Sequence, residues 1–183
     1  MGLLAMTAKT TIAVIGAGGH AKVVIDVLRA QSWQVVACLV TGVAVDAGQT
    51  CNAAPVHGVD SASAWLCAAG VSAAFVAVGD NAARERLSRE LAAAKIDLPN
   101  AIDPHAVLAP SVQVGDGALI MPGAVINADT RIGQGAIINT GACVDHDCDV
   151  GDFAHIAPAC ALAGEVTIGR LSLCRIGSRF IPG

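Results

Sequence analysis

A chain of 183 residues, 54% hydrophobic and 14% charged, carries enough apolar material for one ordinary domain or two small ones and is not a disordered polymer. Its net charge of −4, without any cluster of Lys or Arg, leaves no electrostatic footprint for nucleic acid. The opening MGLLAMTAKTT has no basic region and too short an apolar run for a secretory leader, and no long uninterrupted apolar stretch follows, so a cytoplasmic protein without membrane contact is expected.

Thr11 to Ile15 form a short apolar run that leads into Gly16-Ala17-Gly18-Gly19-His20-Ala21. A helical pattern continues to about Arg29, with Val23, Val24, Val27 and Leu28 on one face. Strand, glycine turn and helix is a context in which backbone can hold a phosphate, because glycines let the main chain approach and a helix N-terminus favours anions. His20 could equally hydrogen-bond within its own turn. The next strand, Val35 to Val40, closes in Val40-Thr41, where a dinucleotide fold would carry an acidic residue for the ribose. That absence, and the shortness of this half, argue against NAD chemistry.

After a loop from Gly42 to Pro55 come Val56-His57-Gly58, a helix from Ser61 to Ala69, and a buried strand from Ala74 to Val78 ending at Gly79-Asp80-Asn81. A helix from Ala82 to Lys95 follows, with Arg84, Arg86 and Arg89 expected on its solvent side. The order βαβ(β)αβα predicts a small Rossmann-like parallel sheet over residues 1–98, whose carboxyl-end rim holds His20 and Gly79. Pro99 and Pro104 bracket the passage into a second domain, 99–183.

That second half repeats every six residues. Ile102, Leu108, Val114, Ile120, Ile126, Ile132, Ile138, Val144, Val150, Ile156, Leu162, Ile168, Cys174 and Phe180 mark the steps, and two positions before each marker the residue is mostly small. This is the period of a hexapeptide parallel β-helix, a three-sided prism with 18 residues per coil, in which residue n lies beneath n+18. Gly115, Gly133, Gly151 and Gly169 recur once per coil and are expected at a corner with positive φ. Seven cysteines, without a CxxC pair, read as reduced thiols, Cys148 and Cys160 at small inward positions. No His, Cys and carboxylate cluster has metal-site spacing.

One stretch of the prism carries chemistry: Asn139-Thr140-Gly141-Ala142-Cys143-Val144-Asp145-His146-Asp147-Cys148. Since Val144 points inward, His146 falls at or near a corner between two carboxylates, with Ala128 and Gly164 stacked below and above, a slot for another molecule. A carboxylate that accepts from one imidazole nitrogen fixes the tautomer and raises the basicity of the other, the arrangement of a general base. A lone histidine at such a corner can also be plain surface. Cys143, just before inward Val144, should point away from the core and is a poor nucleophile candidate; His155, just before Ile156, should face outward.

Taken together, Gly16-Ala17-Gly18-Gly19-His20, Val78-Gly79-Asp80-Asn81, Asn139-Thr140, Val144 to Cys148, Gly151, His155 and Ala163-Gly164 resemble the PglD/NeuD family of bacterial sugar acetyltransferases along nearly the whole chain. The Asp-His-Asp variant is similar to members that acetylate a nucleotide-linked 4-amino-sugar. The resemblance implies a left-handed β-helix, a homotrimer, acetyl-CoA in the groove between neighbouring prisms, and a nucleotide-linked sugar held by the first domain. It makes His146 the proton acceptor and Asp147 the carboxylate that raises its basicity. It places His155, Gly164 and Ile176 at acetyl-CoA, and Gly18, Gly19, His20, Gly79 and Asn139 at the acceptor sugar. No metal is implied.

The sequence departs from the family at two points. Val40-Thr41 replaces an acidic pair after the second strand, so the nucleotide is left open. The chain ends at Gly183, where the family continues through another coil and a tail, so weak coenzyme binding or cover from trimer packing is expected. Transfer to a sugar hydroxyl, such as that of a sialic acid, and a non-catalytic trimeric nucleotide-binding scaffold are the alternatives to N-acetylation.

Overall fold

The structure is a computed structural model that describes residues 10–182; residues 1–9, part of the segment read as carrying no leader, and Gly183 lie outside the described residues. The first half runs β1 (Thr11–Ile15), α1 (Gly19–Ala30), β2 (Gln34–Thr41), β3 (Thr50–Cys51), β4 (Ala54–Val59), α2 (Ala62–Ala69), β5 (Ala74–Val76) and α3 (Asn81–Ala93). The sheet order is β3-β4-β2-β1-β5. All neighbours are parallel except β3, a two-residue strand antiparallel to β4, so the sheet is mixed where a parallel one was expected.

β1 is apolar throughout because both its faces are covered. Ile12 and Val14 pack towards α1, while Ala13 and Ile15 pack towards Leu66 of α2 and Leu87 and Leu91 of α3. Ser61 caps α2 by accepting from the Ala64 N–H (3.3 Å), and Asp80 caps α3 by accepting from that of Ala83 (2.8 Å). Two helical expectations need correction. On α1 the buried stripe uses Ala21, Val24, Ile25, Val27 and Leu28, while Val23 is exposed. On α3, Arg84 is not on the solvent side: it is 2% exposed, and its guanidinium lies between the two halves of the chain.

From Ala101 the chain winds into a three-sided column of two-residue strands. The docked face carries Ala101–Ile102, Leu119–Ile120, Ile137–Ile138, His155–Ile156 and Leu173–Cys174. A second face carries Val107–Leu108, Val125–Ile126, Cys143–Val144, Ala161–Leu162 and Arg179–Phe180; a third carries Gln113–Val114, Arg131–Ile132, Asp149–Val150 and Thr167–Ile168. Each strand pairs in parallel with the one 18 residues on, as in Val125↔Cys143 and Ile137↔His155. The hexad markers and the small residues two before them form one continuous core. Ala101, Leu119, Met121 and Ile137 point outward from the docked face and pack into the α1 cluster, which joins the halves.

The glycine clock has a different cause from the one expected. Positive φ occurs two residues later at that corner, at Gly117 (67°), Gly135 (60°), Phe153 (55°) and Leu171 (61°). Gly115, Gly133 and Gly151 are needed because the next coil passes too close: a Cβ at Gly133 would stand 2.5 Å from the Asp152 nitrogen, and one at Gly151 2.6 Å from that of Arg170. Among the described residues, no helix is long and apolar enough to cross a membrane.

Candidate active site

His146 sits on the turn that follows Cys143–Val144, at the corner between the second and third faces. Its neighbours hold the turn from both sides. Asp145 Oδ1 accepts from the His146 N–H (2.9 Å) and from Asn127 Nδ2 one coil below (2.7 Å). Thr130 Oγ1 donates to the Asp145 carbonyl (2.8 Å) and accepts from the Cys148 N–H (3.2 Å). Asp147 adopts φ +57°, a left-handed conformation that Asp tolerates better than most side chains.

In that conformation Asp147 Oδ2 comes 2.8 Å from His146 Nδ1. The carboxylate accepts the Nδ1 proton, which leaves the Nε2 lone pair free on a half-exposed ring. The bond to Asp147, helped by the charge of Asp145, raises the imidazole pKa above its ordinary value. Asp145 is held below the usual carboxylate range, first by the Asn127 hydrogen bond and then by the His146 N–H. The pair can therefore accept a proton at Nε2 and stabilise the resulting imidazolium. The expected slot is smaller than the stacking suggested, because the ring leans over Gly164, where a Cβ would meet Cε1 at 2.6 Å and Nε2 at 2.7 Å.

The remaining candidates gather elsewhere. Gly18, Gly19 and His20 begin α1 at the carboxyl end of β1, and Gly79 follows β5 on the same rim. Gly16 has a structural reason to be glycine, with φ +118° and a Cβ position 2.8 Å from the Ala77 carbonyl oxygen; Gly18, Gly19 and Gly79 have open space at theirs. Beneath the rim, on the docked face, Asn139 Nδ2 lies 2.9 Å from His155 Nε2. Burial, the charge of Arg84 and nearby His20 push the His155 pKa down to about 4, and burial followed by Arg84 lowers that of His20. His155 faces outward, as expected, but it is tucked beneath the first half and is not idle surface. His20 Nε2 is buried with no hydrogen-bond partner among the described residues.

Two constellations result, and one subunit does not bring them together. His146, Asp147 and Gly164 occupy the corner opposite the docked face, which carries Asn139 and His155, and the His155 ring feels the charges of Arg84 and His20. Ile176 is at a third place, the exposed corner between the docked and second faces. Cys143 is exposed and points outward.

Sequence reasoning missed Arg84, Asn127 and Thr130. Asn127 was within reach, since it stands 18 residues before Asp145 and coil arithmetic places it directly below. Arg84 carried no such signal.

Residues 11–91 match the PglD N-terminal domain. The fold is similar to a perosamine N-acetyltransferase from Caulobacter crescentus, solved with CoA and GDP-perosamine in a form with one histidine replaced by asparagine (45% identity over 96% of this chain and 82% of that one, TM-score 0.89). It is also similar to the acetyltransferase domain of PglB from Neisseria gonorrhoeae (34% identity over 93% of this chain and 82% of that one, TM-score 0.81). The same domain in complex with acetyl coenzyme A gives 32% identity over 95% of this chain and 86% of that one, with a TM-score of 0.75. No curated protein sequence matches the chain.

Proposed function

Since the chain belongs to the PglD/NeuD family of hexapeptide-repeat sugar acetyltransferases, we propose that it transfers the acetyl group of acetyl-CoA to the amine of a nucleotide-linked amino-sugar. The carrying observation is the 2.8 Å contact between His146 Nδ1 and Asp147 Oδ2, which leaves Nε2 as an open base at a solvent-facing corner. As the amine nitrogen adds to the thioester carbonyl, Nε2 takes its proton. Collapse of the tetrahedral adduct expels the thiolate of CoA, which regains a proton from the imidazolium, so no covalent enzyme intermediate is required. Solved relatives with CoA and GDP-perosamine bound, two of them with a substituted histidine, support this assignment.

In this reading, residues 1–98 hold the nucleotide-linked sugar through Gly18, Gly19, His20 and Gly79, with Asn139 at the acceptor. Residues 99–183 carry the transfer, with His155, Gly164 and Ile176 along acetyl-CoA. A homotrimer is part of the proposal, because it resolves the separation of the two constellations: a neighbour can bring its His146 corner to this subunit's docked face. The second face supports an interface. Its outward residues Val107, Val125, Cys143 and Ala161 form an apolar stripe beside a cleft of about 470 Å³ that also reaches Asn127 and Phe180. A cytoplasmic setting is supported by seven free thiols.

The test is to offer acetyl-CoA with GDP-, UDP- and dTDP-linked amino-sugars and to follow thiol release. Release with an amino-sugar is expected; release only with hydroxyl acceptors, or with none, would overturn the reading.

A further inference from the structure

Helix α3 reads one edge of the prism. Gly135, Phe153 and Leu171 occupy the same corner in three successive coils, and each is held at positive φ. Arg84 Nε donates to the Gly135 carbonyl (2.8 Å) and Nη2 to that of Phe153 (2.8 Å). Asn81, one turn earlier, donates to the carbonyls of Leu171 (2.9 Å) and Ser172 (3.1 Å), and its Oδ1 accepts from Arg84 Nη2 (2.9 Å). Glu85 adds an ion pair to Arg170. Two side chains of one helix thereby register three coils.

The other side of the guanidinium faces the first half. Arg84 Nη1 donates to the carbonyls of Val78 (3.0 Å) and Gly79 (3.3 Å), on the rim that also carries the glycine loop. Each N–H of the fork is thus accounted for, and every acceptor is a neutral oxygen. Glu85 is taken by Arg89 and Arg170, and Asp80 acts on the guanidinium only through space. An unneutralised buried cation is costly to maintain. Its planar, forked donors are what a lysine cannot reproduce.

Below the rim the same geometry sets a tautomer. Asn139 Oδ1 accepts from the Thr140 N–H (2.8 Å), so Nδ2 must be the atom that donates to His155 Nε2 (2.9 Å), and the His155 proton resides on Nδ1. Burial first, and then the neighbouring Arg84 cation, oppose a second proton on that ring and on His20.

We propose that Arg84 is a positioning residue for the acceptor side of the reaction: its guanidinium clamps the Val78–Gly79 rim onto the Gly135 and Phe153 corners and so sets where His20 stands above Asn139 and His155. The kinetic consequence rests on the acetyl-transfer reading; the clamp itself rests on the hydrogen bonds alone.

The experiment compares Arg84→Met, which removes fork and charge, with Arg84→Lys, which keeps the charge. Asn81→Ala, which frees one edge of the fork, serves as a second variant should Arg84→Met fail to fold. Amide exchange at residues 16–20 and 78–81 is expected to accelerate at least about 10-fold in Arg84→Met and less in Arg84→Lys, with global melting still cooperative. The KM for the nucleotide-linked sugar should rise by up to roughly 100-fold, the scale of a misplacement of about 1 Å, and clearly more than the KM for acetyl-CoA, which Arg84 reaches only through His155. By ring NMR, His155 should titrate above its value of about 4 in Arg84→Met and stay low in Arg84→Lys.

Unchanged rim exchange in a folded Arg84→Met, or in Asn81→Ala if that must stand in, would overturn the clamp. An equal rise in both KM values would overturn the acceptor-side role. A wild-type protein that acetylates nothing would sink the functional reading and still leave the exchange arm to decide the clamp.

Discussion

The imidazole of His146 rests over the α-carbon of Gly164, the residue one coil above it, so closely that a methyl group there would overlap three ring atoms. A glycine is therefore needed at this point for the His146 ring to hold its orientation, independently of any coenzyme contact. Gly164→Ala should leave the prism folded, because the listing ring can swing outward, but should break the alignment with Asp147. A fall in kcat of roughly 10-fold to 100-fold is expected, read against an unchanged melting temperature.

His146→Ala removes the proposed proton acceptor without touching the core. Acetyl transfer should drop by about 100-fold to 10,000-fold, with oligomeric state and circular dichroism unchanged. Retention of full activity would favour a scaffold.

Asp147→Asn tests the direction of the pKa shift. In the proposed mechanism the base is the neutral imidazole, so the rate should fall as pH drops through the raised His146 pKa. Losing the Asp147 carboxylate lowers that pKa towards 6.5, which should move the acid limb of the kcat profile to lower pH. The plateau should fall as well, because the tautomer is no longer held. An acid limb that stayed in place would mean that another group governs it.

Subunit mixing tests the split site. If the chain assembles as the proposed trimer, His146→Ala and His155→Ala proteins, each impaired alone, should regain activity when dissociated and reassembled together. At equal mixing about one quarter of the interfaces would pair an intact His146 with an intact His155 from the neighbour. Val107→Asp, on the apolar second face, should lower the sedimentation mass and the activity together. Absence of any recovery would put both histidines to work within one subunit.

Gly133→Ala tests close approach as the reason for the glycine clock. The added Cβ would lie 2.5 Å from the Asp152 nitrogen, whereas at Gly169 the nearest atom is the Ser172 Oγ at 3.5 Å. Gly133→Ala should cost about 1–3 kcal/mol, seen as a drop in melting temperature of roughly 2–4 °C per kcal/mol, and Gly169→Ala should be nearly neutral.

The prism and the His146–Asp147 corner were legible in the sequence because their causes are local or periodic. Burial repeats every hexad, coils stack at a fixed offset, and Asp147 is the covalent neighbour of His146, so the triangular column and the Asp-His contact follow from counting. Arg84 could not be found in this way. A helical arginine followed by Glu85 and Arg86 looks solvated until the prism brings the carbonyls of Gly135 and Phe153 to it from 51 and 69 residues away. Tertiary structure alone placed His20 near the face that carries Asn139 and His155 and away from the His146 corner, because that depends on which side of the prism the first half docks. The docking is decided by outward-pointing Leu119 and Ile137 meeting α1, an apolar contact that no repeat within either half encodes.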